Sequence, residues 1–273
     1  MPNTINTIEY KELLESIRFI HGYDFTEYAE SSIKRRIAFF MNSKKIDTVG
    51  NLGKILLKDE KIFEEFLQDI SVTVTEMFRD PSFYKSLREK TMKRLATYPT
   101  IKIWIAGCAT GEEVYSMAIL LKEEGLLDRS IIYATDINQV SLQTAREGLY
   151  LPDNMKAYNY NYIKAGGKKT FSEYYKAAPR AVIFEKSLRQ NIVFSAHNLA
   201  IDKSFNEFQL IICRNVLLYF NQHLQNKVIN LFYDSLCHFG FMALGNKESL
   251  LFSDKKKCFE EVDRKEKIFV KKK

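Results

Sequence analysis

The residues with the clearest chemical potential follow a short apolar run near the middle of the chain, where the sequence reads IKIWIAGCATGEEVYS. The small residues of GCATG predict a tight turn whose backbone can approach a ligand closely. A phosphate-binding loop would carry Lys followed by Ser or Thr where this chain has Glu112 and Glu113. Carboxylates repel phosphate, so the pattern favours a neutral or cationic ligand. The alternative is a plain strand-to-helix turn whose glutamates favour the helix N-terminus.

Polar residues also follow the next three apolar runs, IIYATDI, NIVFSAHN and FQLIICRN. Ligands of open α/β sheets bind at the carboxyl ends of the strands, so these residues are candidates for the same site. They are Asp136, Asn198 with Leu199, and Arg214 with Asn215. A carboxylate such as Asp136 can accept hydrogen bonds from both hydroxyls of a ribose. Taken alone, Asp136 could equally cap a helix that begins near Asn138.

The elements that must position these residues alternate between strand and helix from about residue 96 onward. Such alternation predicts a parallel sheet covered by helices on both faces, an α/β fold. The ending KCFEEVDRKEKIFVKK can add two antiparallel strands. An aromatic-rich stretch with a Gly-Gly pair interrupts the alternation, and we interpret residues 151–190 as an inserted subdomain within a domain of residues 96–273.

The first 95 residues predict helices and no convincing strand, which indicates a separate helical domain with its linker. Four amphipathic segments are visible: YKELLESIRFI, FTEYAESSIKRRIAFFMNS, VGNLGKILL and DEKIFEEFLQDI. The second segment places apolar residues on one face at helical spacing and a basic cluster, Lys34, Arg35 and Arg36, on the other.

Composition is that of an ordinary soluble protein, with 273 residues, 46% hydrophobic and 27% charged. No apolar run approaches the roughly 20 residues of a membrane span, and the N-terminus lacks a signal-peptide core, so we expect a cytoplasmic protein.

The 4 cysteines form no C-x-x-C pair, which argues against zinc and against a disulfide framework. The net charge of +7 is compatible with nucleic acid or an acidic protein surface but demands neither.

Several separated motifs, in order, resemble the chemotaxis receptor glutamate methyltransferases of the CheR family. They are SIKRRI, VTVTEMFRDPSFY, IWIAGCATGEEVYS, ATDIN, NIVFSAHNL and LIICRNVLLYF. The resemblance covers nearly the whole chain. It implies a class I S-adenosylmethionine-dependent methyltransferase fold, Rossmann-like, with an N-terminal helical domain and a small inserted subdomain. It also implies S-adenosylmethionine as methyl donor and S-adenosylhomocysteine as product.

Donor contacts in the first motifs follow from the resemblance. It implies that Thr73, Thr75 and Arg79 contact the donor, with Arg79 suited to its carboxylate. Thr73 departs from the family, in which Asn is frequent at this position. Gly107 would belong to the turn against the donor.

The later motifs complete the donor site that the resemblance implies. Glu112 or Glu113 would hold the donor's amino group or shape the loop, and Asp136 would bind the ribose. The other implied contacts are Asn198 and Leu199 at the adenine edge and face, and Arg214 with Asn215 near the sulfonium. A donor that carries a sulfonium and an ammonium but no phosphate agrees with glutamates beside the turn.

Catalysis would need little acid–base chemistry, because a substrate glutamate is already ionised at neutral pH. Orientation and desolvation of the reactants would then contribute most. We predict that Tyr219 faces the transfer site, although core packing is its alternative role. Arg94, near the join between the domains, could pair with the substrate carboxylate.

The implied partner is the cytoplasmic helical bundle of a chemoreceptor, which presents glutamates on an acidic face. Lys34, Arg35 and Arg36 could dock on it electrostatically, or could simply form a solvated helix face. We expect a monomer that neither binds nucleic acid nor inserts into a membrane.

Two other functions remain open at this stage. One is a methyltransferase of another substrate: RNA or DNA, which the basic composition motivates, or another protein. Against nucleic acid, an N-P-P-Y type motif is missing after the fourth strand, where RNVLLYF stands. A scaffold that binds the donor without turnover is the other. The presence of Arg79, Asp136 and Tyr219 favours an enzyme.

Overall fold

Four helices form the amino-terminal part of the chain. In the computed structural model, which describes residues 5–71 and 74–273, they are α1 (Thr7–His21), α2 (Glu30–Lys44), α3 (Val49–Leu56) and α4 (Glu60–Ile70). Each buries the apolar stripe that its periodicity predicted, and Ile17, Ile37 and Phe66 are fully buried in the shared core. The helical prediction for this region is confirmed.

Helix α2 begins five residues later than the sequence pattern indicated, at Glu30 instead of Phe25. The preceding residues form a strap, residues 27–29, that pairs with residues 219–221 of the second half of the chain. The amide of Ala29 donates to the carbonyl of Tyr219 at 2.8 Å, and the amide of Asn221 donates to the carbonyl of Glu27 at 2.9 Å. Because residues 27–29 pair with residues 219–221, they are not part of α2.

The remaining elements alternate as predicted. In chain order they are α5 (Pro81–Lys90), α6 (Met92–Leu95), β1 (Ile101–Ala106), α7 (Glu112–Glu123), β2 (Ser130–Asp136), α8 (Gln139–Glu147), β3 (Leu149–Tyr150), α9 (Met155–Lys164), β4 (Tyr175–Ala178), β5 (Ala181–Phe184), α10 (Lys186–Arg189), β6 (Ile192–Ala196), β7 (Phe208–Cys213), α11 (Gln222–Ser235), β8 (Leu236–Leu244), β9 (Phe259–Asp263) and β10 (Ile268–Lys271).

A seven-stranded sheet with the order β6-β2-β1-β7-β8-β10-β9 organises this part. Its first five strands are parallel, and β10 pairs antiparallel with both β8 and β9. The strand order reverses direction at β1, between β2 and β7. Such a switch point opens a crevice at the carboxyl ends of the strands, which is where ligands of open α/β sheets bind.

Helices α5 and α6, which the sequence analysis grouped with the first domain and its linker, pack on the sheet. Phe83, Leu87 and Leu95 are buried in the same cluster as Ile103 of β1. This packing favours a boundary between the two parts near residue 71, because Met77, Phe78 and the buried apolar residues of α5 and α6 belong to the second core.

The stretch that interrupts the alternation folds as a small separate sheet. Strands β3, β5 and β4 form it in that order, both pairings being antiparallel, and α9 packs beside it. The Tyr162 side chain is fully buried, and its hydroxyl donates to a carboxylate oxygen of Glu123 in α7. The insert is thereby fixed to the helix that follows the GCATG turn.

Within the described ranges, the structure contains no helix that combines the length and the apolar character needed to cross a membrane.

Candidate donor cavity and acceptor site

A cavity opens at the carboxyl ends of β1, β2, β6 and β7, and the helical part of the chain closes its other side. It encloses about 1060 Å³ of space, some of it open to solvent. Most of the predicted site residues line it: Thr75, Arg79, Gly107, Glu113, Asp136, Asn198, Leu199, Arg214, Asn215 and Tyr219. Strand ends that are remote in sequence are thus brought to one place. Thr73 lies outside the described residues, so its predicted donor contact stays a prediction.

The turn after β1 is built for close approach. Both Gly107 and Cys108 donate their amides to the carbonyl of Thr135, at 2.8 and 2.9 Å. Gly107 has a φ of +76°, and a Cβ atom there would lie 2.3 Å from a methyl group of Val216. Only glycine can occupy this position without displacing the loop after β7.

Asp136 stands at the end of β2 with its carboxylate in the cavity wall. One oxygen accepts the amide of Ala109 at 2.8 Å, and the other accepts the amide of Asn138 at 2.9 Å. The N-cap of α8 is Asn138 itself, whose side chain accepts the amide of Ser141. The capping alternative for Asp136 is therefore wrong, and each carboxylate oxygen retains a lone pair for a ligand. Burial raises the pKa of Asp136 above its ordinary value.

The two glutamates after the turn have different surroundings. Glu113 lines the cavity and accepts a hydrogen bond from Arg214 at 2.8 Å. Glu112 is buried outside the lining and accepts from Thr110 at 2.6 Å and from Tyr158 at 3.3 Å. Burial raises the pKa of Glu112. Of the two roles that the sequence left open, Glu112 is placed to shape the loop and Glu113 to face a ligand.

Arg214 forms the centre of a buried charge network. Its guanidinium donates to Glu113 at 2.8 Å and to Asp80 at 2.6 Å, and it lies 4.1 Å from the ring centroid of Phe83. Burial opposes the charge of Arg214, but Glu113, Tyr84 and Asp80 together more than compensate, so the pKa of Arg214 is raised. Because both carboxylates neutralise it, Arg214 acts on the cavity mainly by positioning Glu113 and the adjacent loop.

Arg79, in contrast, has no carboxylate partner within the described residues. One of its nitrogen atoms donates to the carbonyl of Val74 at 3.3 Å, and the side chain lines the cavity. The segment is held from two sides, since the amide of Phe78 donates to the Ser116 hydroxyl and Asn161 donates to the Met77 carbonyl. A free guanidinium on a fixed segment suits a ligand carboxylate.

The loop after β7 depends on a residue that the sequence analysis missed. Glu248 is buried, and its carboxylate accepts the amides of Asn215 at 3.1 Å, Val216 at 2.8 Å, Leu218 at 3.4 Å and Gly245 at 2.5 Å. Burial raises its pKa. Glu248 follows β8 within the turn GNKE, so applying the strand-end rule to the fifth parallel strand would have identified it.

The helical part also contributes to the cavity, which no sequence pattern indicated. Tyr28, Ser32 and Arg36 lie four residues apart and all line it. The Arg36 guanidinium lies 5.7 Å from the ring centroid of Tyr219 and donates to the Asp69 carbonyl at 2.9 Å. Burial lowers the pKa of Arg36, and no carboxylate in the described ranges forms an ion pair with it.

The basic cluster of α2 therefore divides into three environments. Lys34 forms an ion pair with Glu30 at 2.8 Å and donates to Thr7. Arg35 is exposed beside the rim of the cavity, next to Phe39 and Val74. Arg36 points into the cavity. Only Arg35 is placed as a free surface charge.

Arg94 does not line the cavity either, and it lies elsewhere in the fold than Glu112, Lys34 and Arg35. Its guanidinium lies 5.4 Å from the ring centroid of Phe239 and 5.9 Å from that of Phe241. These residues lie in the middle of β8, where Phe241 pairs with Leu210 in the first half of β7, whereas the cavity lies at the carboxyl ends of the strands. Arg94 is therefore not placed to pair with a substrate carboxylate in the cavity.

Arg94→Ala should leave donor affinity and methyl transfer within about twofold of wild type and lower the free energy of unfolding by about 1 kcal/mol, because it removes only aromatic stacking. Calorimetric titration with S-adenosylhomocysteine, a transfer assay and urea unfolding measure the three quantities. A tenfold slower transfer by a fully folded variant would return Arg94 to the mechanism.

Comparisons with known proteins agree with this geometry. A family model described as CheR methyltransferase, SAM binding domain, matches residues 73–268, and one described as CheR methyltransferase, all-alpha domain, matches residues 8–71. The chain belongs to the CheR methyltransferase family. The protein Cher3 of Pseudomonas putida is 49% identical over 262 residues, covering 96% of each chain. The chemotaxis protein methyltransferase of Listeria innocua is 32% identical over 237 residues, covering 84% of this chain and 86% of the other.

The CheR assignment makes S-adenosylmethionine the cofactor and confirms the fold class, a class I methyltransferase domain preceded by an all-helical one. The residues of the cavity fit this donor. The Gly107 turn leaves no room for a side chain, the Asp136 carboxylate retains lone pairs, and Arg79 is a cation without a carboxylate partner in the described ranges. The Gly107 turn allows the donor to lie close to the backbone, Asp136 can accept hydrogen bonds from the ribose hydroxyls, and Arg79 can pair with the amino-acid carboxylate of the donor.

Proposed function

We propose that this CheR-family chain methylates glutamate side chains of chemoreceptor proteins and produces glutamyl methyl esters. One observation carries the proposal: within the described residues, the cavity has two arginines without a carboxylate partner, Arg79 and Arg36. The donor has one carboxylate, for which Arg79 is suited. A second free guanidinium, supplied by the helical domain beside Tyr219, suits the carboxylate of an acceptor.

In this proposal the protein contributes orientation more than acid–base chemistry. S-Adenosylmethionine supplies the methyl group when bound and leaves as a neutral thioether. Arg36 holds the acceptor carboxylate, which is ionised at neutral pH and needs no general base. Tyr219 limits its approach, and the strap fixes the Tyr219 backbone, because the Ala29 amide donates to the Tyr219 carbonyl at 2.8 Å. Removal of water from both charged reactants favours transfer.

The receptor surface is expected to be an acidic helical bundle. Arg35 is exposed at the cavity rim beside the exposed apolar side chains of Phe39 and Val74, so the rim presents a charge and an apolar contact together. Lys34, which is neutralised by Glu30, should contribute less. Docking through Arg35 should weaken as salt increases, because an exposed charge is screened.

Neighbouring residues Arg36 and Arg35 allow a matched test of this assignment. Arg36→Gln should lower the maximal transfer rate to a receptor cytoplasmic fragment by about 100-fold, because a charge-assisted pair is lost. Arg35→Gln should raise KM for the fragment and flatten its salt dependence while the maximal rate stays within about twofold. Both should bind S-adenosylhomocysteine as wild type does. An Arg36→Gln enzyme with wild-type turnover would contradict the acceptor role.

A further inference from the structure

The strap between α1 and α2 carries a tyrosine that belongs to the donor cavity although it comes from the helical domain. Tyr28 lines the cavity, forms an antiparallel bridge with Phe220, and stacks on it edge to face with ring centroids 4.8 Å apart. Phe25 contacts the same ring from another side at 5.2 Å. The ring is therefore fixed in place without help from its hydroxyl.

That hydroxyl has no hydrogen-bond partner among the described residues. Tyr28 is half-buried in the cavity wall, and a phenol without a protein partner at this place leaves its hydrogen bond to a ligand or to water. Burial, with a contribution from the Asp136 carboxylate, raises the pKa of Tyr28, which stays a neutral donor. Tyr28 and Asp136 both line the cavity, Tyr28 from the strap and Asp136 from the carboxyl end of β2.

We propose that Tyr28 is a specificity-determining residue that donates its hydroxyl hydrogen to a ribose hydroxyl of the donor, opposite Asp136. Asp136 can only accept, and its two oxygens already accept backbone amides. A ribose hydroxyl that donates to Asp136 still has lone pairs to satisfy. A phenol from the helical domain supplies that missing donor, so the donor site is complete only when both domains are docked.

Binding measured without any acceptor tests this proposal. The Tyr28 proposal rests on the donor site alone. It can therefore be wrong while the proposed glutamate methylation is right, and it can be right while that proposed function is wrong. The probes are S-adenosylhomocysteine and its 2′-deoxyribose and 3′-deoxyribose analogues, titrated calorimetrically into the full chain. Tyr28→Phe retains the stacking on Phe220 and removes only the hydroxyl. Tyr160→Phe, at a surface tyrosine that is 58% exposed, is the matched control.

Tyr28→Phe should bind S-adenosylhomocysteine about tenfold more weakly than wild type, the effect of one buried hydrogen bond. For one deoxy analogue the two proteins should have the same affinity, since the hydroxyl that Tyr28 contacts is absent. Tyr160→Phe should match wild type for all three ligands. Equal loss of affinity for all three ligands in Tyr28→Phe, or no loss for any, would overturn the proposal.

Discussion

Replacing Asp136 by Asn should weaken the binding of S-adenosylhomocysteine by about 100-fold, the largest loss of donor affinity that we expect from one substitution in the cavity. The carboxylate loses its charge, and charge-assisted hydrogen bonds are worth roughly twice neutral ones. The side-chain NH2 group that replaces one carboxylate oxygen would also face the backbone N–H of Ala109 or of Asn138, and two donors cannot form a hydrogen bond with each other. Calorimetric titration of the full chain measures the affinity.

The pH dependence of the same binding separates the charge from the geometry. Burial raises the pKa of Asp136 from the ordinary 3.8, so wild-type affinity should begin to fall during acidification at a higher pH than for an exposed aspartate. The loss follows protonation of the carboxylate, which then accepts ribose hydroxyls less well. Asp136→Asn should lack this pH step. Asp153→Asn, at an exposed position, is the control and should bind as wild type does. Wild-type affinity in Asp136→Asn would remove the residue from the donor site.

Replacing Glu248 by Ala should lower the free energy of unfolding by about 3 kcal/mol, because one buried and several partly buried backbone amides lose their only side-chain acceptor. These amides belong to Asn215, Val216, Leu218 and Gly245. Donor affinity should fall with stability, since Asn215 and Val216 form part of the cavity wall. Urea unfolding, followed by titration under conditions in which the variant is folded, measures both quantities.

Glu89, an exposed glutamate of α5, provides the comparison. Glu89→Ala should change the free energy of unfolding by no more than about 0.5 kcal/mol. If Glu248→Ala were equally harmless, water would have to satisfy the loop amides, and Glu248 would not be needed to position the site.

Much of the cavity lining could be predicted because each part of it directly follows a strand that the sequence shows. The turn after β1 and the residues after β2, β6 and β7 follow strands whose apolar runs are easy to recognise, and parallel strands bring their carboxyl ends to one edge. In a parallel sheet the amino ends and the carboxyl ends of the strands lie on opposite sides. Arg94 stands shortly before β1, so it lies near the amino ends, and its predicted pairing with a substrate carboxylate at the carboxyl ends is wrong.

The other half of the cavity depends on tertiary pairing that leaves no periodic signal. Tyr28 and Arg36 reach the site because residues 27–29 pair with residues 219–221, a contact between segments about 190 residues apart. Because of the same pairing, α2 begins at Glu30 and not at Phe25. The pattern of α2 could show that Lys34, Arg35 and Arg36 are basic, but not that Glu30 neutralises one of them and that the cavity takes another.

The glutamyl ester is the central claim, and its chemistry gives the most direct measurement. Full-length protein would be incubated with a chemoreceptor cytoplasmic fragment and S-adenosylmethionine labelled with tritium in its methyl group, beside a fragment whose candidate glutamates are replaced by glutamine. We expect label on the unmodified fragment alone, released as volatile methanol by mild base. Base-stable label, or donor binding without transfer to any receptor fragment, would contradict glutamate methylation while leaving the donor site intact.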